Sequence, residues 1–274
     1  MFGCHINGNF INSVEKVHKI GGNLIQCFIS EPTGKKTLKL SQSDIDEMKQ
    51  TLKKYKTEMI IHAPYVLNFA REFKIDSWWI KTILNELNYA NQIGAKGSVI
   101  HFGKYLHLDK DVAISNMVNS LKYVISQIMT LNVIIYLETS CGQGSELGFK
   151  IKEFAEIYNQ FTPEEKQKIK ICIDTCHIFV AGYDIRTTVG FDKFIKEFDN
   201  LIGLSNIKLI HLNDSSKELE SHVDRHDFIG KGFIGLEGLK YIFEWGNKMG
   251  IDIILETGGQ ETEIPMLLNF SIRK

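Results

Sequence analysis

Six short apolar runs in this chain end on a histidine or a carboxylate. They are Met59-Ile60-Ile61-His62, Ser98-Val99-Ile100-His101, Ile134-Ile135-Tyr136-Leu137-Glu138, Ile171-Cys172-Ile173-Asp174, Lys208-Leu209-Ile210-His211 and Ile253-Ile254-Leu255-Glu256. Each run reads as a buried β-strand, and an ionisable group at the end of a buried strand is costly without a partner. Six such tips in equivalent positions are expected to converge. Histidine together with carboxylate is the ligand set of a borderline divalent metal.

Strand-like segments are expected at residues 2–6, 23–29, 58–64, 97–103, 132–139, 170–177, 207–214 and 252–258. Between most of them lies a stretch with apolar residues three and four apart, clearest over 76–93 and 112–130. Ser41 with Asp44 reads as a helix cap, Thr162-Pro163-Glu164-Glu165 as a short helix start, and Gly94 as a helix stop. Strand–helix alternation implies parallel strands joined by right-handed crossovers. Eight such units in 274 residues match an α/β fold, a single (β/α)8 TIM barrel over 1–274. Such barrels carry their chemistry on the C-terminal ends of the strands, where the polar tips fall.

Composition excludes little. Charged residues are 24% and hydrophobic residues 43%, as in an ordinary globular protein, and the formal net charge of -1 speaks neither for nor against a nucleic-acid partner. The first residues show no signal or transit pattern, and no apolar run approaches the ~20 residues of a membrane span. Five cysteines without a CxxC pair suit a reducing interior, cytoplasm or nucleus, with Cys172 and Cys176 as small core residues. Cys4 and Cys27, on neighbouring expected strands, are the one candidate disulfide.

Asp174-Thr-Cys-His177 closes the sixth run; Asp174 reads either as a site carboxylate or as a helix cap. Asp224-Arg-His226 lies in the irregular stretch 214–235, where an Asp-x-His pair in extended backbone points both side chains one way. Glu138 and Glu256, each followed by Thr, can bridge cations or accept a proton. His5 lines the same mouth without a ligand role, while His18, His107 and His222 read as surface or loop residues. Gly230-Lys-Gly232-Phe-Ile-Gly235 fits the dinucleotide fingerprint, but the glycines do not directly follow an expected strand. A tight return of the loop into the next helix is the better reading, with no nucleotide cofactor. Trp78-Trp79 reads as packing on the outer helices. Lys35, Lys36 and Lys39 form a solvated cluster near the mouth, able to touch phosphates.

Three long motifs carry a resemblance. Leu137-Glu-Thr-Ser-Cys-Gly-Gln-Gly144 and Cys172-Ile-Asp-Thr-Cys-His-Ile-Phe-Val-Ala-Gly-Tyr183 are two of them. The third is His211-Leu-Asn-Asp-Ser-Ser-Lys217 with Val223-Asp-Arg-His-Asp-Phe-Ile-Gly-Lys-Gly-Phe-Ile-Gly235. Almost end to end, the chain resembles the endonuclease IV family of apurinic/apyrimidinic endonucleases. These are xylose-isomerase-like (β/α)8 barrels that use three zinc ions to cut DNA on the 5′ side of abasic sites, leaving a 3′-OH.

The resemblance implies that His62 and His101 hold a first zinc, that Glu138 bridges it to a second, and that Asp174, His211 and Glu256 complete the second. It assigns a third to His177, Asp224 and His226, with Mn2+ admissible at one position. Glu138 and Glu256 are the catalytic carboxylates. Tyr65 matches a residue that wedges into the base stack, and Arg225, Lys35 and Lys36 are expected substrate contacts. The implied partner is duplex DNA with abasic or 3′-blocked sites, met by a monomer away from membranes. Bound zinc lowers the pKa of water toward ~7, which supplies hydroxide for attack on phosphorus. Three dications outweigh the four carboxylates, giving the mouth a local attraction for phosphate that the global charge hides. Extruding a nucleotide without a base costs less than flipping an intact one.

The chain departs from the family after the second strand. Ser30-Glu-Pro-Thr-Gly34 stands where relatives carry Asn-x-Arg-x-Trp, and Glu220-Ser221 replaces Gly-Ser ahead of Asp224. The competing reading is a divalent-metal sugar isomerase or epimerase on the same kind of barrel, which does not need the His177/Asp224/His226 set.

Overall fold

Local signals set the helix ends. Ser41 accepts a hydrogen bond from Asp44 N (3.2 Å) and the Asp44 carboxylate accepts one from Ser41 N (2.8 Å), a closed capping box. Thr162 and Glu165 exchange the same pair of bonds ahead of a 3-10 turn at Glu165–Gln167. Gly94, at φ 87°, ends the helix before it. The computed structural model describes residues 1–34 and 39–272. Lys35 and Lys36 lie outside the described residues.

The elements run β1 (Phe2–His5), α1 (Phe10–Lys19), β2 (Leu24–Cys27), α2 (Gln42–Tyr55), β3 (Glu58–His62), α3 (Trp78–Ile93), β4 (Gly97–Ile100) and α4 (Lys110–Gln127). Then come β5 (Ile134–Glu138), α5 (Ile151–Tyr158), β6 (Ile169–Asp174), α6 (Thr175–Val180), α7 (Thr188–Leu201) and β7 (Ile207–His211). A small pair β8 (Asp214–Ser215) and β9 (His226–Asp227) precedes α8 (Leu236–Lys248), β10 (Asp252–Leu255) and α9 (Gln260–Ile272). Eight parallel strands close in the order β1-β10-β7-β6-β5-β4-β3-β2, with the helices outside. This is the expected barrel.

The expected strands ran long at their C-terminal ends. Pairing stops at or just before each polar tip, and the sixth run passes into α6 straight after Asp174, so His177 sits on a helix rather than on a strand. The stretch 214–235 is not structureless, because β8 and β9 pair antiparallel within it.

Alternation along the strands stacks two tiers inside the barrel. Leu24, Ile60, Val99, Tyr136, Cys172, Leu209 and Ile254 form one buried cluster. Each stands two residues before Gln26, His62, His101, Glu138, Asp174, His211 or Glu256, and so faces the same way. The polar tips therefore rest on an apolar floor. On β1 the equivalent floor position is Gly3, where a Cβ would lie 1.6 Å from Leu24 O, so only glycine fits.

The larger core lies between strands and helices, and Trp78 and Trp79 pack against it, edge to face with ring centroids 5.9 Å apart. All five cysteines are free and buried, Cys4 and Cys27 included. Among the described residues, no helix is long and apolar enough to cross a membrane.

One buried acid is out of place. Glu86 on α3 is fully buried, and neither oxygen meets a partner in hydrogen-bonding geometry among the described residues. Burial pushes its carboxyl up to about 8, with the Ser30 hydroxyl opposing. The folded chain thus holds this proton where the unfolded chain has released it. Stability should fall as pH rises from about 5 to about 8, by about 3 kcal/mol from this group. Glu86→Gln should flatten that fall in denaturant titrations at the two pH values; parallel slopes for variant and wild type would refute the assignment.

Candidate metal centre

The tips meet at the barrel mouth because each closes its strand there: Asp174 pairs directly with His211, while His62 pairs with Val99, so His101 stands two residues further along. Glu138 stands at the middle. Its Oε2 lies 3.2 Å from His101 Nε2 and 3.7 Å from His62 Nε2, while its Oε1 lies 2.8 Å from His211 Nδ1. His211 Nδ1 is also 3.2 Å from Glu256 Oε2. On the far side, Asp224 lies between His177 Nε2 (3.2 Å) and His226 Nε2 (3.2 Å), and His226 Nε2 is 3.6 Å from Asp174 Oδ2.

Three groups in this tier hold ligand atoms within 4.8 Å of one another: His62/His101/Glu138, Glu138/Asp174/His211/Glu256 and Asp174/His177/His226. Glu138 belongs to the first two and Asp174 to the last two. Asp224 groups with His226 and the Cys176 sulfur. Burial pushes the Cys176 and Cys172 thiols up to about 12, which keeps both protonated.

Three histidines have one ring nitrogen tied off. His62 Nδ1 faces Ala63 O (2.8 Å), His177 Nδ1 faces Thr139 O (2.7 Å) and His211 Nε2 faces Gln26 Oε1 (2.9 Å). The other nitrogen of each is aimed at the carboxylates, the arrangement that orients a metal-ligating imidazole. Buried Glu138 Oε2 and His177 Nε2 have no hydrogen bond. Buried polar atoms without partners are expensive, and a cation beside each would satisfy it. The donor set of five imidazoles and four carboxylates fits zinc.

The charges are strongly coupled. Burial works to raise the Glu138 carboxyl, but His101 and His211 hold it well below its ordinary range. Asp224 is held down in the same way by His177 and His226, against its burial. His226 rises to about 9 although burial opposes it, because Asp224 and Asp174 face it. His5 goes the other way: burial lowers it to about 4, and its Nδ1 accepts from Gln26 Nε2 (3.1 Å). It braces the tier rather than joining a ligand group.

Asp174 answers to both readings of its sequence position. Its Oδ1 caps α6 by accepting from His177 N (2.8 Å), and its Oδ2 faces the site, accepting from Asn213 Nδ2 (2.7 Å). Two amides escaped the sequence reading. Gln26 donates to Glu256 Oε1 (2.6 Å), and Asn213 both donates to Glu256 Oε2 (3.2 Å) and accepts from Glu256 N (2.9 Å). Gln26 was within reach of the strand alternation, since it stands two residues after the floor residue Leu24.

The Gly230/Gly232/Gly235 motif has a different partner from any nucleotide. The buried Asp214 carboxylate accepts from Gly230 N (2.9 Å), Gly232 N (3.0 Å), Ile234 N (2.9 Å), Ser215 N (2.8 Å) and Gly235 N (3.3 Å). The glycine loop wraps an internal anion, and that pins the segment carrying Asp224 and His226.

The mouth opens on a cavity of 620 Å³ lined by His62, His101, Glu138, His177, Asp224 and His226, with Tyr65, Arg71, Lys104 and Arg225 at its rim. Tyr65 is 52% exposed, and its ring meets Phe28 and His101 edge to face at 5.2 and 5.3 Å. Arg225 is exposed, its guanidinium donating to Asp224 O (2.7 Å).

A family model described as xylose isomerase-like TIM barrel matches residues 14–271. A putative endonuclease 4 of Acanthamoeba polyphaga mimivirus is 37% identical over 93% of this chain and 84% of its own. The chain belongs to the endonuclease IV family. That makes it an enzyme of the apurinic/apyrimidinic endonuclease class. Endonuclease IV from Thermus thermophilus superposes with a TM-score of 0.83 at 23% identity, covering 100% of this chain and 99% of that one. A D-tagatose 3-epimerase-like protein superposes at 0.75 with 18% identity, over 98% and 95% of the two chains. At these identities the two superpositions speak for the fold alone.

Proposed function

We propose that this endonuclease IV family member is a zinc-dependent DNA-repair enzyme that hydrolyses the phosphodiester 5′ to an abasic site in duplex DNA, leaving a 3′-OH. The observation that carries the reading is the overlap of ligand groups, with Glu138 shared by the first two and Asp174 by the last two. Such overlap suits adjacent cations rather than one isolated ion.

His62, His101 and Glu138 would hold one zinc, Glu138, Asp174, His211 and Glu256 a second, and His177, Asp224 and His226 a third. Bound zinc would lower the pKa of water toward ~7 and neutralise phosphoryl charge. The chain's own residues do the rest. Glu256, whose oxygens are held by Gln26 and Asn213, would take the proton of the attacking water. The water oxygen bonds to phosphorus, the bond to the 3′ oxygen breaks, and that oxygen leaves with the electron pair and is protonated by solvent. Arg225 and Lys104 at the rim meet flanking phosphates, and Tyr65 enters the stack beside the lesion. Lys35 and Lys36 are further phosphate contacts in this reading, and the chain acts as one catalytic unit and a monomer.

The test is incision of a duplex carrying one abasic analogue, with elemental analysis of the same preparation. Cleavage 5′ to the lesion that chelator abolishes, with close to three zinc per chain, is the expected result. An intact duplex, or one or two manganese with sugar epimerisation, would reverse it in favour of the isomerase class.

A further inference from the structure

Leu106 is held where a leucine gains nothing of its own. Its φ is 54°, in the left-handed region that a side chain disfavours, and it is 47% exposed. Lys56, another non-glycine residue at positive φ, ends a helix there; Leu106 caps nothing. Its backbone is nevertheless fixed. Tyr105 N donates to Ser145 O (2.9 Å), Leu106 N donates to Ser145 Oγ (3.1 Å), and Leu108 N closes a turn on Tyr105 O (2.9 Å).

Behind it, Lys104 is clamped by Asn68, which accepts from Lys104 N (3.0 Å) and donates to Lys104 O (2.9 Å). Lys104 also bridges to Glu146 in an isolated β-pair and an ion pair of 3.1 Å. A rigid loop that presents an apolar tip at an energetic cost points to function, since observed strain gathers at ligand clamps.

The tip's position supplies the ligand. Leu106 lies between the 620 Å³ cavity over the candidate metal centre and a second hollow of 350 Å³, and it lines both. Arg71 and Lys104 line both hollows as well; Lys74 lines the outer one beside its ion-pair partner Glu72 (3.1 Å), and Glu146, the partner of Lys104, lines the inner one. An apolar prong beside the exposed Arg71, with Lys104 two residues before it in the chain, complements a base stack flanked by phosphate.

We infer that Leu106 is a second wedge, inserting into the duplex beside the lesion while Tyr65 enters from its own loop. The inference rests on the endonuclease reading. It gives this chain an unstacking element on the loop after β4, whereas the segment after β2 lacks the arginine that relatives place there. Lys104 and Arg71 would hold the phosphates on either side of the opened step.

Leu106→Gly removes the wedge and relieves the backbone, so its melting temperature should equal or exceed that of wild type. On a fully paired abasic duplex, kcat/KM should fall about 10-fold or more. A fluorescent adenine analogue next to the abasic site should lose the pre-incision brightening that reports unstacking. Leu106→Met should restore both. A duplex already unstacked by a mismatch beside the lesion should be cut by the glycine variant at close to the wild-type rate. Wild-type rate and brightening in Leu106→Gly on the paired duplex would overturn the wedge, as would equal losses on paired and mismatched substrates. A wild-type protein that cuts neither substrate would sink the endonuclease reading itself, and the wedge with it.

Discussion

Glu138→Gln should reduce incision by about 10³-fold or more while the barrel stays folded. The change is isosteric, and the side chain sits at the end of β5 above the apolar floor, so packing is nearly unaltered. What changes is charge at a group that faces four imidazoles, from His62, His101, His177 and His211. A neutral amide bridges two cations poorly and places an N–H donor where a cation should stand. Elemental analysis should show loss of metal from the first two ligand groups, while His177, Asp224 and His226 keep theirs. A Gln variant that retains full metal and cuts abasic duplex at the wild-type rate would remove Glu138 from its bridging role.

Asp214→Ala should be the most destabilising single change in the loop region, by about 3–5 kcal/mol. The carboxylate is fully buried and satisfies the backbone N–H groups of five residues, from Ser215 to Gly235. Alanine leaves all five without a partner in a space where glycine was needed; a Cβ at Gly232 would lie 2.2 Å from Ser215 O. The same loop aims Asp224 and His226. The variant should therefore also lose the cation proposed for His177, Asp224 and His226, and about 10²-fold in rate. Asp214→Asn, which keeps one acceptor oxygen, should fall between. Thermal melting and zinc content together check the claim, and an alanine variant that melts like wild type would refute it.

The barrel was legible because alternating apolar runs and helical periods leave few topologies. The six strand tips were legible because a charge at the end of a buried run has to be explained. Gln26 was not, since an amide carries no charge to draw the eye; only its alternation with Leu24 places it inward. Asn213 escaped for the same reason, although it lies between His211 and Asp214. The Asp214 cradle was hidden because its donors are backbone groups, which no side-chain motif reveals. The glycines in it were visible and their purpose was not. The strand ends were drawn too long because sequence shows where a chain is extended, not where its neighbour stops pairing. The phosphate contacts expected of Lys35 and Lys36 stay a matter of sequence alone, as both lie outside the described residues.

The floor formed by Leu24, Ile60, Val99, Tyr136, Cys172, Leu209 and Ile254 has a kinetic corollary. With the barrel plugged below, approach to the candidate ligands is from the mouth, where the 620 Å³ cavity and a neighbouring hollow of 490 Å³ both reach His226 and Glu256. In the proposed function, zinc would enter ahead of the substrate and a seated duplex would lock it in. Chelators would then strip the enzyme only between turnovers, so saturating uncut DNA should slow inactivation in proportion to occupancy.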